Sequence, residues 1–260
     1  MRVIDLDLLK LPKDWQKDAN AAIAAGVDKI DQHAKVWQRL KSPLKKLSHR
    51  KCFYCEMIQI RSDGAVDHFR PKSKYPWSAF RETNYRFSCT FCNSRRKDEV
   101  TGKSGGKGDN FPLPTGSKPA TSLADEDDES PMLIDPCVSK DPGLIDFDET
   151  GMPVPAYSIT EHKGRHDRAA ISITLYNLDH TDLVEERKKL AIKIARLVKL
   201  ADKLFPLTEA GNPAIDASFA KHVNSLANRI DERAELSAFA RRILSGYRDR
   251  RWVDRLLLSA

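Results

Sequence analysis

No run of about 18 apolar residues, the length a membrane-spanning helix needs, occurs in the 260-residue chain. Apolar residues make up 40% of it and mean hydropathy is −0.53. A membrane protein is therefore excluded, no membrane partner is expected, and a cytoplasmic location is. The first residues, Met1 to Asp7, carry two acids where a secretory leader needs an apolar core. An even set of cysteines is also missing. Five thiols cannot all pair, and in a reducing cytoplasm closely spaced cysteines hold metal more often than they form disulfides. Nor is there a phosphate-cradling loop. Gly102-Lys103-Ser104 ends like one, but the glycine needed five residues upstream is Lys97. The stretch Thr101–Gly108 reads as a flexible glycine-rich loop. Acid is short as well: 37 Asp and Glu stand against 44 Lys and Arg, a net charge of +7, which favours an anionic partner.

Apolar residues recur at helical spacing over 14–41, where Trp15, Ala19, Ala22, Ile30, Trp37 and Leu40 predict one helix stopped by Ser42-Pro43. From Lys35 to Lys51 there are seven basic residues and no acid, either a solvated face or a phosphate-facing one. Residues 112–157 are rich in proline and acid and predict loops with a small hairpin. Their run Asp125-Glu126-Asp127-Asp128-Glu129 reads as a solvated loop, or as a cover for a basic groove. Helical patterns follow over 167–178, from the N-cap Thr181 to about 205, over 213–245 and over 248–258. The expected organisation is an N-terminal helical segment (1–48), a core (49–112), a loop-rich connection (113–164) and a C-terminal helical region (165–260). The fold class is α+β and mostly helical.

The chemistry concentrates in the core. Cys52-Phe53-Tyr54-Cys55 and Cys89-Thr90-Phe91-Cys92 are two C-x-x-C pairs with 33 residues between them. Two thiolates on a tight knuckle point at one ion, and two knuckles complete a tetrahedron. Cys52, Cys55, Cys89 and Cys92 therefore predict a structural zinc site with no open position. A redox C-x-x-C accounts for one pair but not for two. Cys137 is left as a bystander, and Tyr54, Phe69, Tyr75, Trp77, Tyr85, Phe87 and Phe91 as a small aromatic core.

Between the knuckles lies Val66-Asp67-His68-Phe69, which reads as a strand with Asp67 and His68 on opposite sides. Asn93 follows Cys92 and is expected to begin a short helix, with Lys97 at i+4 on the same face. Asp67 and Asn93 offer oxygens to a hard cation, and His68 can hold a water. Such a set cleaves phosphodiesters.

In these residues the chain resembles the HNH nucleases in their zinc-knuckle form. The resemblance rests on Asp67-His68 in a strand, Asn84 between the knuckles, and Cys92-Asn93 with Lys97 four residues on. It covers about residues 52–98 and implies a ββα-metal core. The wider strings Asp67-His68-Phe69-Arg70-Pro71-Lys72, Lys107 to Leu113 and Leu133-Ile134-Asp135-Pro136 are similar to PtuB-type HNH proteins. Those act with a PtuA-like ATPase in the Septu antiphage system and in some retrons.

The resemblance implies roles residue by residue. His68 is the general base, Asp67 and Asn93 hold a catalytic Mg²⁺ or Mn²⁺, and Asn84 fixes the loop that aims His68. Lys97 stands where many members carry histidine and faces phosphate instead. The product is a 5′-phosphate, and DNA stands ahead of RNA as substrate. Arg70 and Lys72 are candidate phosphate contacts, or part of a solvated face. Each role has a structural alternative: Asp67 as a cap or salt-bridge partner, Asn93 as an N-cap, Asn84 as a turn residue. A zinc-stabilised nucleic-acid-binding protein without cleavage, and a nuclease acting on RNA, are the competing functions. His162 and His166 read as surface histidines, not as a second metal site.

Overall fold

Trp15, Ala19 and Ala22 share one face of α1 (Trp15–Ala24) and are buried there, each large side chain adding about 1.5–3 kcal/mol. The chain is seen here in a computed structural model that describes residues 1–59 and 64–259. The single helix expected over 14–41 does not form. Gly26 turns at φ +96°, and the chain continues as a 3₁₀ segment (Val27–His33) and a short α2 (Lys35–Gln38). Ser42-Pro43 does not stop a helix but opens one. Both residues lie in the first turn of α3 (Lys41–Leu47), where an N–H has no intrahelical partner to lose.

Strand β1 (Ala65–His68) pairs antiparallel with β2 (Tyr85–Ser88), placing Asp67 opposite Arg86 and His68 opposite Tyr85. Successive side chains leave a strand on opposite sides, and the two sides of this hairpin meet different cores. One holds Trp15, Trp37, Leu44, Phe53, Tyr85 and Phe87. The other holds Tyr54, the four knuckle cysteines, Phe69, Tyr75 and the C-terminal helices. Phe53 and Tyr54, adjacent in the first knuckle, thus enter different cores.

After β2 comes a single helical turn, α4 (Thr90–Asn93), then β3 (Arg96–Lys97) paired with β4 (Ser104–Gly105). The segment expected to be a flexible loop is in fact packed: Gly105, Gly106 and Lys107 are buried. A Cβ on Gly106, at φ +104°, would lie 2.1 Å from the Ser94 carbonyl oxygen, and one on Gly105 would lie 2.3 Å from Asn177 Oδ1. Glycine here permits close backbone approach and confers no freedom.

The expected hairpin of the middle segment is β5 (Ile145–Phe147) with β6 (Pro153–Pro155). Helix α5 (Lys163–Leu175) begins earlier than the apolar pattern indicated. Helix α6 (Thr181–Leu204) buries Leu183, Arg187, Leu190, Ile194, Val198 and Ala201, a stripe at three- and four-residue steps. Its N-cap is His180, whose Nδ1 accepts the Asp182 N–H at 3.2 Å. Thr181 is the first helical residue, and its N–H and hydroxyl both donate to Asp98 at 2.8 Å. The pattern over 213–245 is two helices, α7 (Pro213–Ile230) and α8 (Ser237–Ser245), because Leu236 turns left-handed at φ 53°. Helix α9 (Arg251–Ser259) closes the bundle with Trp252, Val253, Leu256 and Leu257 buried. No described helix is long and apolar enough to cross a membrane.

Candidate functional site

The two knuckles meet. Each of Cys52, Cys55, Cys89 and Cys92 is buried, and their sulfurs all lie within 4.8 Å of one another. The Cys55 and Cys89 sulfurs are 3.8 Å apart, the separation of about 3.8 Å expected for two thiolates each about 2.3 Å from one tetrahedral ion. The four residues can therefore hold a metal. Burial and the neighbouring sulfurs push the Cys55 and Cys92 thiols well up, so four such groups carry their charge only against a cation. Among the described residues no second group of three or more metal-ligating side chains occurs. His162 stands before α5 and His166 lies beside Asp167. Burial pushes the Cys137 thiol up to about 12, which leaves it protonated.

A cleft of about 360 Å³ opens beside this centre, lined by Trp37, Asp67, His68, Lys72, Asn93 and Asp109 among others. His68 is packed edge-on between Trp37 and Tyr85, with ring centroids at 5.0 and 5.1 Å. Its Nε2 lies 3.0 Å from the Ala79 carbonyl oxygen. A carbonyl only accepts, so Nε2 carries the hydrogen and Nδ1 keeps its lone pair. Burial lowers the imidazole to about 4, against a smaller upward pull from the Ala79 carbonyl. The ring is neutral at pH 7 and able to accept a proton.

The same burial makes stability pH-dependent. Unfolded, the imidazole titrates near about 6.5; folded, it refuses the proton down to about 4. The contribution is complete above about pH 6.5 and is lost as the pH falls towards 4, with about 2 kcal/mol gone at pH 5. Denaturant unfolding at neutral pH and at about pH 5 should show this loss, smaller by about that amount in His68→Asn. An identical loss in the variant would contradict the assignment.

Asn84 fixes the loop that joins β1 to β2. Its Oδ1 accepts the Arg70 N–H at 2.7 Å, and its Nδ2 donates to the Arg70 carbonyl and the Ser78 hydroxyl at 3.0 Å. Ala79, which holds His68, follows directly.

Asp67 lies on the other side of the strand and is almost fully buried. Its Oδ2 accepts the Tyr54 hydroxyl at 2.5 Å and its Oδ1 the Lys107 ammonium at 2.9 Å. Burial and the Asp67 charge push the Tyr54 hydroxyl well up, so it stays a donor. Tyr54 stacks on Tyr176 at 4.0 Å, which ties the first knuckle to the end of α5.

Three expectations need correction. Asn93 ends α4 instead of beginning a helix; the N-cap is Cys89, whose sulfur accepts the Cys92 N–H at 3.4 Å. Lys97 consequently shares no helical face with Asn93. It lies exposed in β3, outside the cleft lining. The cause is the packed glycine segment: Lys107 N–H and Gly108 N–H donate to the carbonyls of Cys92 and Asn93 at 2.8 and 2.7 Å, and the chain leaves the helix to meet it. Arg70 does not line the cleft either. Its guanidinium pairs with Glu126 at 2.6 Å and Glu129 at 2.9 Å, so the acidic run is not merely solvated. Lys72 does line the cleft, and its ammonium reaches the exposed Asp31 at 2.7 Å.

Lys107 and Asp109 were not singled out as site residues in the sequence. Lys107 hides in a glycine-rich stretch 40 residues from its partner, and only the string Lys107-Gly108-Asp109-Asn110 marked the place.

No protein-family model matches the chain, and no solved structure does. A curated protein is similar to it: Septu protein PtuB of Bacillus mycoides (strain KBAB4). The identity is 28% over 208 residues, covering 74% of this chain and 65% of PtuB, so the chain spans about two thirds of that protein's length. The similarity supports a PtuB-like relationship.

Proposed function

We propose that the chain is a metal-dependent endonuclease of HNH type, hydrolysing phosphodiester bonds in nucleic acid with DNA ahead of RNA. We further propose an antiphage role in which it is the nuclease subunit beside a PtuA-like ATPase, in line with its similarity to Septu protein PtuB. The reading rests above all on His68: a neutral imidazole with its Nε2–H spent on Ala79 and its Nδ1 unspent, in a cleft shared with Asn93.

The roles follow from the contacts. His68 takes a proton from water as general base. Asn84 holds the Arg70–Ala79 segment and thereby the ring. Lys72, at the edge of the cleft, is placed to meet a flanking phosphate. Zinc on the four cysteines would anchor the hairpin to α4, filling every ligand position and leaving none for chemistry. A Mg²⁺ or Mn²⁺ ion, when bound in the cleft, would supply charge neutralisation for the scissile phosphate. Asn93 offers it an amide oxygen. The carboxylates lining the cleft are Asp67, whose oxygens are engaged, and Asp109.

The test is incubation of the purified chain with supercoiled plasmid, linear duplex and single-stranded RNA, in Mg²⁺ or Mn²⁺ and in chelator. It is run alone and with a co-purified PtuA-like ATPase. Metal-dependent scission is expected, of DNA before RNA. Retarded mobility with no scission in any arm would replace this reading with the binding-only one.

A further inference from the structure

Asp67 is the carboxylate that the sequence offers to a hard cation, yet its electrostatics are already balanced inside the protein. The partner is Lys107, fully buried, whose ammonium donates to Asp67 Oδ1 at 2.9 Å, the His68 carbonyl at 2.7 Å and the Gly108 carbonyl at 3.4 Å. All three of its hydrogens are thereby used. A buried ammonium without its counter-charge is strongly destabilising, and Asp67 is the carboxylate that pairs with it among the described residues. The other Asp67 oxygen takes the Tyr54 hydroxyl. A dication on Asp67 would stand against a fixed positive charge a few ångström away with little solvent between them.

Asp109 is placed differently. It lines the same cleft, it is exposed, and no ion pair holds it among the described residues. Its position is tied to Asn93, because the preceding Gly108 N–H donates to the Asn93 carbonyl at 2.7 Å. Asn93 in turn follows Cys92 directly. The second knuckle thus fixes two oxygen donors at one end of the cleft, an amide and a free carboxylate, both of the hard kind that Mg²⁺ and Mn²⁺ take.

We infer that a divalent cation in the cleft is held by Asn93 and Asp109, and that Asp67 is the structural counter-ion of Lys107. The inference rests on the cleft being the reactive site proposed above. Its test needs no cleavage. Mn²⁺ alone is titrated into the full zinc-loaded chain by calorimetry and by the electron-spin signal of free Mn²⁺. Asp109→Asn should weaken binding about tenfold or more, since affinity follows ligand charge, with zinc content and melting temperature unchanged. The paired variant Asp67→Asn with Lys107→Met leaves no buried charge uncompensated and should bind within about threefold of the parent. Unaltered affinity in Asp109→Asn, loss of Mn²⁺ in the paired variant, or no binding by the parent would each overturn the inference. A chain that binds Mn²⁺ in the expected pattern but cuts nothing would refute the nuclease reading and leave the metal site standing.

Discussion

Replacing Cys52 or Cys89 with serine is expected to unfold the hairpin core, and removing zinc with a chelator to do the same. A structural zinc contributes about 10–16 kcal/mol of apparent binding energy at neutral pH, while a whole domain is stable by about 5–15 kcal/mol. The geometry leaves little to compensate. The first knuckle inserts Phe53 into one core and Tyr54 into the other, and the second begins α4, whose end orders Asn93 and the Lys107–Gly108 backbone. Loss of the ion would release both sides of the hairpin at once. Elemental analysis should find about one zinc per chain, as a four-cysteine site implies. Thermal melts followed by circular dichroism, with and without chelator, read the stability. Metal-free protein that melts with the parent would refute the centre.

His68→Ala is expected to lower cleavage by about 10²–10⁴-fold, the usual contribution of a general base, while the chain stays folded and keeps its zinc. The fold should tolerate the change. The Ala79 carbonyl retains a second donor, the Tyr85 hydroxyl at 2.8 Å, so no buried acceptor is orphaned. The space left between Trp37 and Tyr85 lowers the melting temperature but leaves both knuckles untouched. Zinc content and the melt are measured on the same samples as cleavage. A variant that cuts within about threefold of the parent would remove His68 from the mechanism.

The contrast between these two sites explains how legible the protein was. The C-x-x-C pairs announce themselves because ligand spacing within a knuckle is local. The strand through Asp67 and His68 and the apolar stripe of α6 were visible for the same reason, since periodicity is a property of neighbours. Breaks were harder to see. One apolar period runs through Gly26 and another through Leu236, but single left-handed or extended residues ended the helices there, and nothing in the period records them. The glycine-rich stretch misled in the opposite sense. Composition reads it as loose, whereas Ser94 and Asn177 press on it so closely that only glycine fits.

The candidate metal donors in the cleft divide along the same line. Along the chain, Asp67 beside His68 is the obvious ligand and Asp109 only one acid in a loop. The fold reverses their standing by carrying Lys107 across 40 residues to neutralise Asp67 and by tying the Asp109 backbone to Asn93. Residue order was enough for the zinc ligands, the strand and the histidine, because each depends on residues a few positions apart. Which carboxylate is paired and which is free was settled only in the folded chain, because an ion pair depends on distance in space and a buried charge on what surrounds it.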